Sequence, residues 1–525
     1  MAVDWRRLAP VLLAGSLGAV YVIVSPPSLD LAAHLLRAKL FRTEGFAIWS
    51  NWWYAGHHLP GYSVLFPAAA GLLSPQLAAA IATTASAAIF ETWVRDRFGP
   101  EAWVGALWFG AATATNLFTG RLAFAFGLLP GLAAAWSLSR RRTSLAWLLG
   151  AVTALSSPVA ALFTALVGAA DAIGGFLSGD RRNATSGIAG LGLVVCSLLP
   201  VGLLAVAFPE GGNEPFTFAT LWPIVLIAVV AIAALPSGAW TLRTGVALYV
   251  LGCLAAYAVS TPVGSNAARL GSLVAGPFAA LVWWPRRAAL LAAVALPLLY
   301  LQWQAPVRDV RTASGDPSDS VAYYRPLLDF LAGQQGPPFR VEIPFTLFHW
   351  EAYQVAPRFP IARGWERQLD IKYNGLFYSG PLTSSRYERW LHRTAVRFVA
   401  TSDARLDYSA HKEAALIANG LPYLRLVFSS RHWRVYAVSN PTPIVTGAAI
   451  LRKLDANSLT LQATRGGAAL VRVHYTPYWA LAGGGGCVAP AGDYTRVTLR
   501  GPETVRLVIR FALSRIRSRK ARCAQ

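Results

Sequence analysis

Charge is scarce in this chain, and acid is scarcer still. Only 14% of the 525 residues are charged, and 25 acids face 47 lysines and arginines. Hydrophobic residues make up 55% and mean hydropathy is +0.43. The apolar character is concentrated in roughly the first three hundred positions, where several runs approach the ~20 residues that cross a bilayer core. That pattern excludes an ordinary soluble domain and predicts a polytopic membrane protein. Cysteine is equally sparse, with four residues and no metal-type cluster. Cys196 and Cys253 sit inside apolar runs as small hydrophobes. Cys487 and Cys523 lie in the C-terminal part and can pair if both face an oxidising space. No internal repeat is visible, and no recognition motif accompanies the net charge of +22 and pI near 10.4. The charge therefore reads as basic cytoplasmic loops and a basic tail beside anionic lipid, with no nucleic-acid partner.

The N-terminus, MAVDWRRLAPVLLAGSLGAVYVIVS, has a basic start and an apolar run without a convincing cleavage site, so it reads as a signal anchor and first helix. Apolar segments follow at about 62–93, 102–117, 121–138, 144–158, 159–178, 186–208, 221–236, 240–260, 267–284 and 287–304, giving about eleven spans. Ser74-Pro75 is placed to break the second, and Ser156-Ser157-Pro158 reads as a tight outer turn. With the N-terminus cytoplasmic, inner connections carry Arg95 and Arg97, then Arg140 to Arg142, Arg181 and Arg182, Arg243, and Arg286 and Arg287. This satisfies the positive-inside rule span after span. Everything beyond about residue 305 is then extracytoplasmic. The predicted domains are a transmembrane region (1–305), an α/β domain (306–445), a small β-sandwich (446–512) and a basic tail (513–525). The stretch RDVRTASGDPSDS reads as a polar linker, FRVEIPF and VRFVATS as strands, and YYRPLLDFLAGQ and SSRYERWLHRT as helices.

The first outer loop departs from the charge rule. It carries Arg37, Lys39 and Arg42 where few cations are expected, so binding of an anionic group is one reading. A snorkelling interfacial helix from Leu31 to Phe41 is the other. Asp30 follows Pro26-Pro27 where span one leaves the bilayer, and His34 lies on the same face of a helix that Ser28 can cap. A carboxylate so placed can take a proton from an attacking hydroxyl. Trp49, Trp52, Trp53, His57, His58 and Tyr62 then offer aromatic faces and polar edges that suit sugar rings. A divalent metal held by Asp30, His34, His57 and His58 is a further reading, although adjacent histidines rarely both bind one ion. Arg121 and Arg269, at outer starts of spans, can fork onto phosphate oxygens. In the outer half, Trp365 and Arg367 of ARGWERQLDIKYN can cover the site and bind acceptor. HYTPYWAL (474–481) is either a sugar platform or a core strand.

An Asp soon after the first helix, a His four residues on, and a W…G…P…Y run into span two resemble the C-fold (GT-C) membrane glycosyltransferases. The nearest likeness is to the bacterial polytopic proteins called 6-pyruvoyl-tetrahydropterin synthase-related membrane proteins, a name that implies no pterin chemistry. The resemblance implies a GT-C-like helical domain in the bacterial cytoplasmic membrane and an inverting transfer from a polyprenyl-phosphate sugar donor to a cell-envelope glycan or lipid acceptor. Asp30 would be catalytic with His34 beside it, and Arg37, Arg121 and Arg269 would hold the donor phosphate. The Asp-x-Asp or Glu-Asp pair of many such enzymes is missing, because Ser28 and Ala32 flank Asp30 and Glu44 is the only other acid in the loop. Mg²⁺ or Mn²⁺ assistance is thus left open. Two other classes fit parts of the sequence: a non-catalytic envelope assembly or scaffold protein, and a lipid or polysaccharide transporter, for which Asp171 is the main acid within a span.

Overall fold

The apolar segments of the first 313 residues fold as helices. The computed structural model describes residues 4–178, 184–518 and 520–523, so the predicted inner cations Arg181 and Arg182, and part of the basic tail, lie outside the described residues. Among the described residues, seven helices are long and apolar enough to cross a membrane: Trp5–Val24, Pro75–Phe98, Leu122–Ser139, Pro158–Leu177, Gly187–Ala207, Trp240–Ala258 and Ala288–Ala313. Shorter helices, Trp103–Phe118, Thr143–Ser156, Phe218–Ala234 and Ala268–Trp283, fill the remaining predicted segments. The lipid-like environment these helices need is visible on their surfaces. Ile23 is 82% and Phe176 85% exposed, a distribution that water would penalise and acyl chains would not.

Two units make up the chain. The first comprises Met1–Ser28, Gly61–Ala205 and Gly211–Ser314, and the second Leu29–Pro60, Val206–Glu210 and Gly315–Gln525. This corrects the division at residue 305 in two ways. The last long helix runs on to Ala313, so the first six residues of the predicted polar linker are helical. Residues 29–60, the predicted first outer loop, and a short piece after Ala205 also belong with the C-terminal half.

In the first unit, proline and serine mark the predicted breaks. Ser74 has φ of 90°, its hydroxyl accepts the Leu77 N–H, and Pro75 opens the next helix, where a missing N–H costs nothing. Ser157 and Pro158 repeat the device. Small residues let helices approach closely: a Cβ on Gly168 would lie 2.6 Å from the Gly190 carbonyl oxygen, and one on Gly190 would lie 2.5 Å from that of Gly168, a packing typical of membrane helices. Arg6 pairs with Glu101, Arg95 with Asp4, and Arg140 with Asp96. These pairs gather the chain start, the 95–101 connection and the 139–143 turn at one end of the unit.

The second unit is mixed. Strands Arg340–Glu342, Val396–Ser402, Trp433–Val438 and Leu424–Ser429 form one sheet in that spatial order, with the first pair parallel and the others antiparallel. Beyond it, nine strands form a five-stranded and a four-stranded sheet around one core that includes Leu459, Leu461, Val471, Trp479 and Val497. Alternation along these strands follows the two-residue period, as in the buried–exposed pattern of Tyr494–Leu499. Cys487 is disulfide-bonded, and its backbone registers opposite Cys523. The loop stretch WSNWWYAGHH forms a short hairpin, Trp49 opposite His58 and Ser50 opposite His57. Trp49 joins the core of the paired sheets.

The hairpin depends on one glycine. Gly56 has φ of +103°, and a Cβ there would meet the Trp49 ring at 2.3 Å. Gly45 has φ of +68° with nothing within 4 Å, so it carries strain alone. Gly56→Ala should therefore destabilise the protein by roughly 1–3 kcal/mol and more than Gly45→Ala, read by thermal unfolding of the detergent-solubilised chain. Equal effects would mean that Trp49 gives way and the hairpin is not tightly packed.

Candidate active site

Asp30 stands at the N-terminus of the Leu31–Glu44 helix, where its carbonyl accepts the His34 N–H at 3.1 Å. Its side chain does not cap that helix. Instead, Oδ1 accepts the indole N–H of Trp365 at 3.0 Å. The residue is half-buried, and its other carboxylate oxygen makes no hydrogen bond among the described residues. The result is a carboxylate anchored through one oxygen and open at the other.

Trp365 is itself held. The His349 ring stacks on it with centroids 3.3 Å apart, Phe345 meets it edge-on, and the Arg367 guanidinium lies 4.7 Å from the ring centroid. Arg367 forks onto Asp407 at 3.1 and 2.7 Å and donates to the Tyr378 hydroxyl at 2.9 Å. His349 lies between Glu351, 3.8 Å away, and Asp407, 3.9 Å away. Burial drives His349 well below its ordinary pKa, so the ring is neutral. Burial also lifts Glu351 to about 8, against the Thr346 hydroxyl that donates to it at 2.6 Å. For Asp407 burial opposes charge, yet facing His349, Arg367 and the Ser409 hydroxyl keep it well below the usual carboxylate range. With His349 neutral, Arg367 supplies most of that effect.

A second layer sits behind the first. Arg363 binds Asp370 at 2.6 and 3.2 Å and Glu413 at 3.3 Å, between the rings of Phe345 and Phe377 at 3.8 and 4.1 Å. Burial raises both Glu342 and Glu413; the charge of Glu413 raises Glu342 further, while Arg363 and hydrogen bonds from Tyr387 and Glu342 pull Glu413 partly back. Like charges held together in a dry site retain a proton between them.

The first outer loop is fastened to this framework by its own polar groups. Arg37 pairs with Glu366, and its guanidinium lies 5.8 Å from the Trp53 ring centroid. The Tyr54 hydroxyl donates to the Gly364 carbonyl and accepts the Glu366 N–H at 2.9 Å. Trp53 donates to the Ala352 carbonyl at 3.0 Å. His58 binds Glu210 at 2.8 Å through Nδ1 and the Thr476 hydroxyl at 3.0 Å through Nε2. Glu210 also accepts from Tyr373 at 2.7 Å. Burial alone would raise the Glu210 pKa, but its bond to His58 brings it down to about 2.

Several sequence expectations change accordingly. The helix starts at Leu31 with Asp30 in the capping position, in place of Ser28. His34 is buried, and Trp365 is the residue that holds the Asp30 carboxylate. Arg37 is buried and neutralised by Glu366, so it neither snorkels nor offers its charge to a donor phosphate. Trp49, Trp52, Trp53, His57 and His58 are all buried. His57 stacks on Trp53 and burial lowers its pKa to about 3. Rings so enclosed present no face to a sugar; they hold the loop in place. Tyr478 and Trp479 of HYTPYWAL are likewise core residues. Trp365 is buried and holds Asp30, and Arg367 lies half-buried against the Trp365 ring. Arg121 and Arg269 lie in the first unit, half-buried near one end of the Leu122–Ser139 helix: Arg121 occupies its N-cap, and Arg269 lies 5.5 Å from the Phe124 ring centroid. Tyr62, also half-buried, belongs to the first unit. Among the described residues no group of three or more His, Cys, Asp or Glu has metal-binding geometry. His349, Glu351 and Asp407 were not singled out from the sequence, because nothing in their spacing brings them together.

Glu351 gives this region a pH signature. Its folded pKa, about 8, exceeds the ordinary value of 4.5. The stability it contributes is therefore complete below about pH 4.5 and is lost as pH rises toward 8, at no more than about 1.4 kcal/mol per unit. Glu351→Gln should flatten the fall in unfolding temperature between pH 5 and 8 relative to wild type. Parallel curves would show that Glu351 does not titrate in that window.

Comparison with family models and with curated proteins found no match to this chain.

Proposed function

We propose that this protein is an inverting glycosyltransferase of the bacterial cytoplasmic membrane. It would move a sugar from a polyprenyl-phosphate donor to a cell-envelope glycan or lipid acceptor on the outer face. The observation that carries the reading is Asp30, a carboxylate fixed by Trp365 through Oδ1 while its other oxygen stays available at the start of a helix. In this reading the acceptor hydroxyl gives its proton to Asp30 as its oxygen attacks the anomeric carbon. The bond from that carbon to the phosphate oxygen breaks, the phosphate leaves with the electron pair, and the configuration inverts. The proposed topology has eleven spans, a cytoplasmic N-terminus and an extracytoplasmic C-terminal half. It is supported by the gathering of Arg6, Arg95 and Arg140 at one end of the first unit.

A scaffold reading has its own support: the aromatic and histidine side chains of the first outer loop are consumed by packing. Sugar transfer from a labelled polyprenyl-phosphate pool, at matched expression, separates the two. Asp30→Asn should lower transfer by roughly 10²–10⁴-fold with unfolding temperature unchanged. Trp365→Phe, which removes the N–H but keeps a ring, should lower kcat by roughly ten-fold with little change in KM. Undiminished transfer by Asp30→Asn removes the base, and no transfer by any protein over a broad donor panel favours the scaffold. Adding EDTA to the wild-type assay reads dependence on Mg²⁺ or Mn²⁺.

A further inference from the structure

The C-terminal segment carries chemistry that the proposed transfer does not use. Phe511 and Leu513 are 51% and 76% exposed, and the surrounding residues are cationic. No Asp or Glu follows Glu503 in the sequence. Arg510, Arg515, Arg517 and Arg522 make no ion pair among the described residues. Burial lowers the Arg515 pKa, and the neighbouring charges of Arg522 and Arg510 lower it further, so the cations repel one another. Among the described residues, Nε and Nη2 of the half-buried Arg522 have no hydrogen-bond partner.

The segment's attachment says what can meet it. The Phe511 ring packs 5.8 Å from Phe208 and 5.3 Å from Tyr478. The Tyr478 hydroxyl donates to the Ala207 carbonyl at 2.8 Å, and Arg515 reaches the Tyr478 carbonyl at 3.4 Å. Ala207 is the last residue of a helix long and apolar enough to cross a membrane. The exposed pair and the arginines are thus tied to the point where the chain leaves that helix. Uncompensated cations around apolar side chains at such a level match a phospholipid surface, with phosphates on the guanidinium forks and Phe511 and Leu513 at the acyl boundary. We infer that residues 510–518 together with Arg522 dock onto anionic phospholipid headgroups of the membrane that the chain spans.

The test uses the full-length protein in nanodiscs of phosphatidylcholine alone or with phosphatidylglycerol. Amide exchange over 510–518 should slow at least about five-fold in the anionic discs, and high salt should abolish the difference. Native mass spectrometry should show anionic lipid retained by wild type and lost from Arg510→Gln/Arg515→Gln/Arg517→Gln/Arg522→Gln, at roughly five-fold in affinity per cation. Because Arg515 and Arg522 are half-buried, Leu513→Ser/Arg517→Gln, altered only at exposed positions, serves as the second variant and should weaken retention with unfolding temperature intact. Identical exchange in both discs would overturn the inference. So would protection by polyprenyl phosphate in neutral discs with none from phosphatidylglycerol, which would mark a donor site.

Discussion

The second unit depends on a three-residue latch. Gly364, Trp365 and Glu366 fasten the first outer loop through Tyr54, Asp30 and Arg37 respectively. Two of these contacts are charged and partly or fully buried, where an ion without its partner is costly. Taking Glu366 from Arg37 would strand a buried guanidinium, and taking Trp365 from Asp30 would free the carboxylate to rotate. The loop and the latch are more than three hundred residues apart in sequence, so the site exists only after the C-terminal half has folded.

The buried charges around the latch are sorted by what each one touches. Asp407 has a forked arginine and stays ionised. Glu351 accepts from the Thr346 hydroxyl and lies beside a neutral imidazole, and burial outweighs the donors around it and keeps its proton on. Glu342 and Glu413 compete for one arginine that Asp370 already holds, and both are pushed toward the neutral form. Desolvation disfavours every one of these charges, and only close, well-directed donors reverse it. The framework behind Trp365 therefore holds few net charges.

What the sequence disclosed follows from periodicity and punctuation. Long apolar runs, Ser-Pro breaks and two-residue alternation are local, and the helices, the breaks at Ser74 and Ser157 and the C-terminal strands fell where those signals put them. Asp30 was legible because a carboxylate just beyond a Pro-Pro pair is unusual at a membrane boundary. The fate of the aromatic hairpin was not legible. Trp, Tyr and His serve a sugar platform and a buried plug equally well by composition, and only long-range contacts such as Trp49 with the sheets and Trp53 with Ala352 decide between them. Arg37 misled for the same reason, since its neutraliser, Glu366, lies in a distant segment. The loop's unit membership was also hidden, because chain connectivity alone would leave residues 29–60 with the helices on either side.

Packing now accounts for nearly all of the chemistry that made the first outer loop conspicuous. It accounts for Trp49, Trp53, Tyr54, His58 and Arg37, each of which has a structural partner. It does not account for the charge on Asp30. Trp365 requires only an oxygen acceptor, which a neutral amide would supply as well as a carboxylate does. The helix N-terminus requires no acid, since the Asp30 side chain leaves the capping position unused. A charge that neither contact needs, on a group with one oxygen fixed and the other open, is what proton abstraction from a hydroxyl would require. The one property of Asp30 that folding does not use is thus the one that the proposed reaction would use.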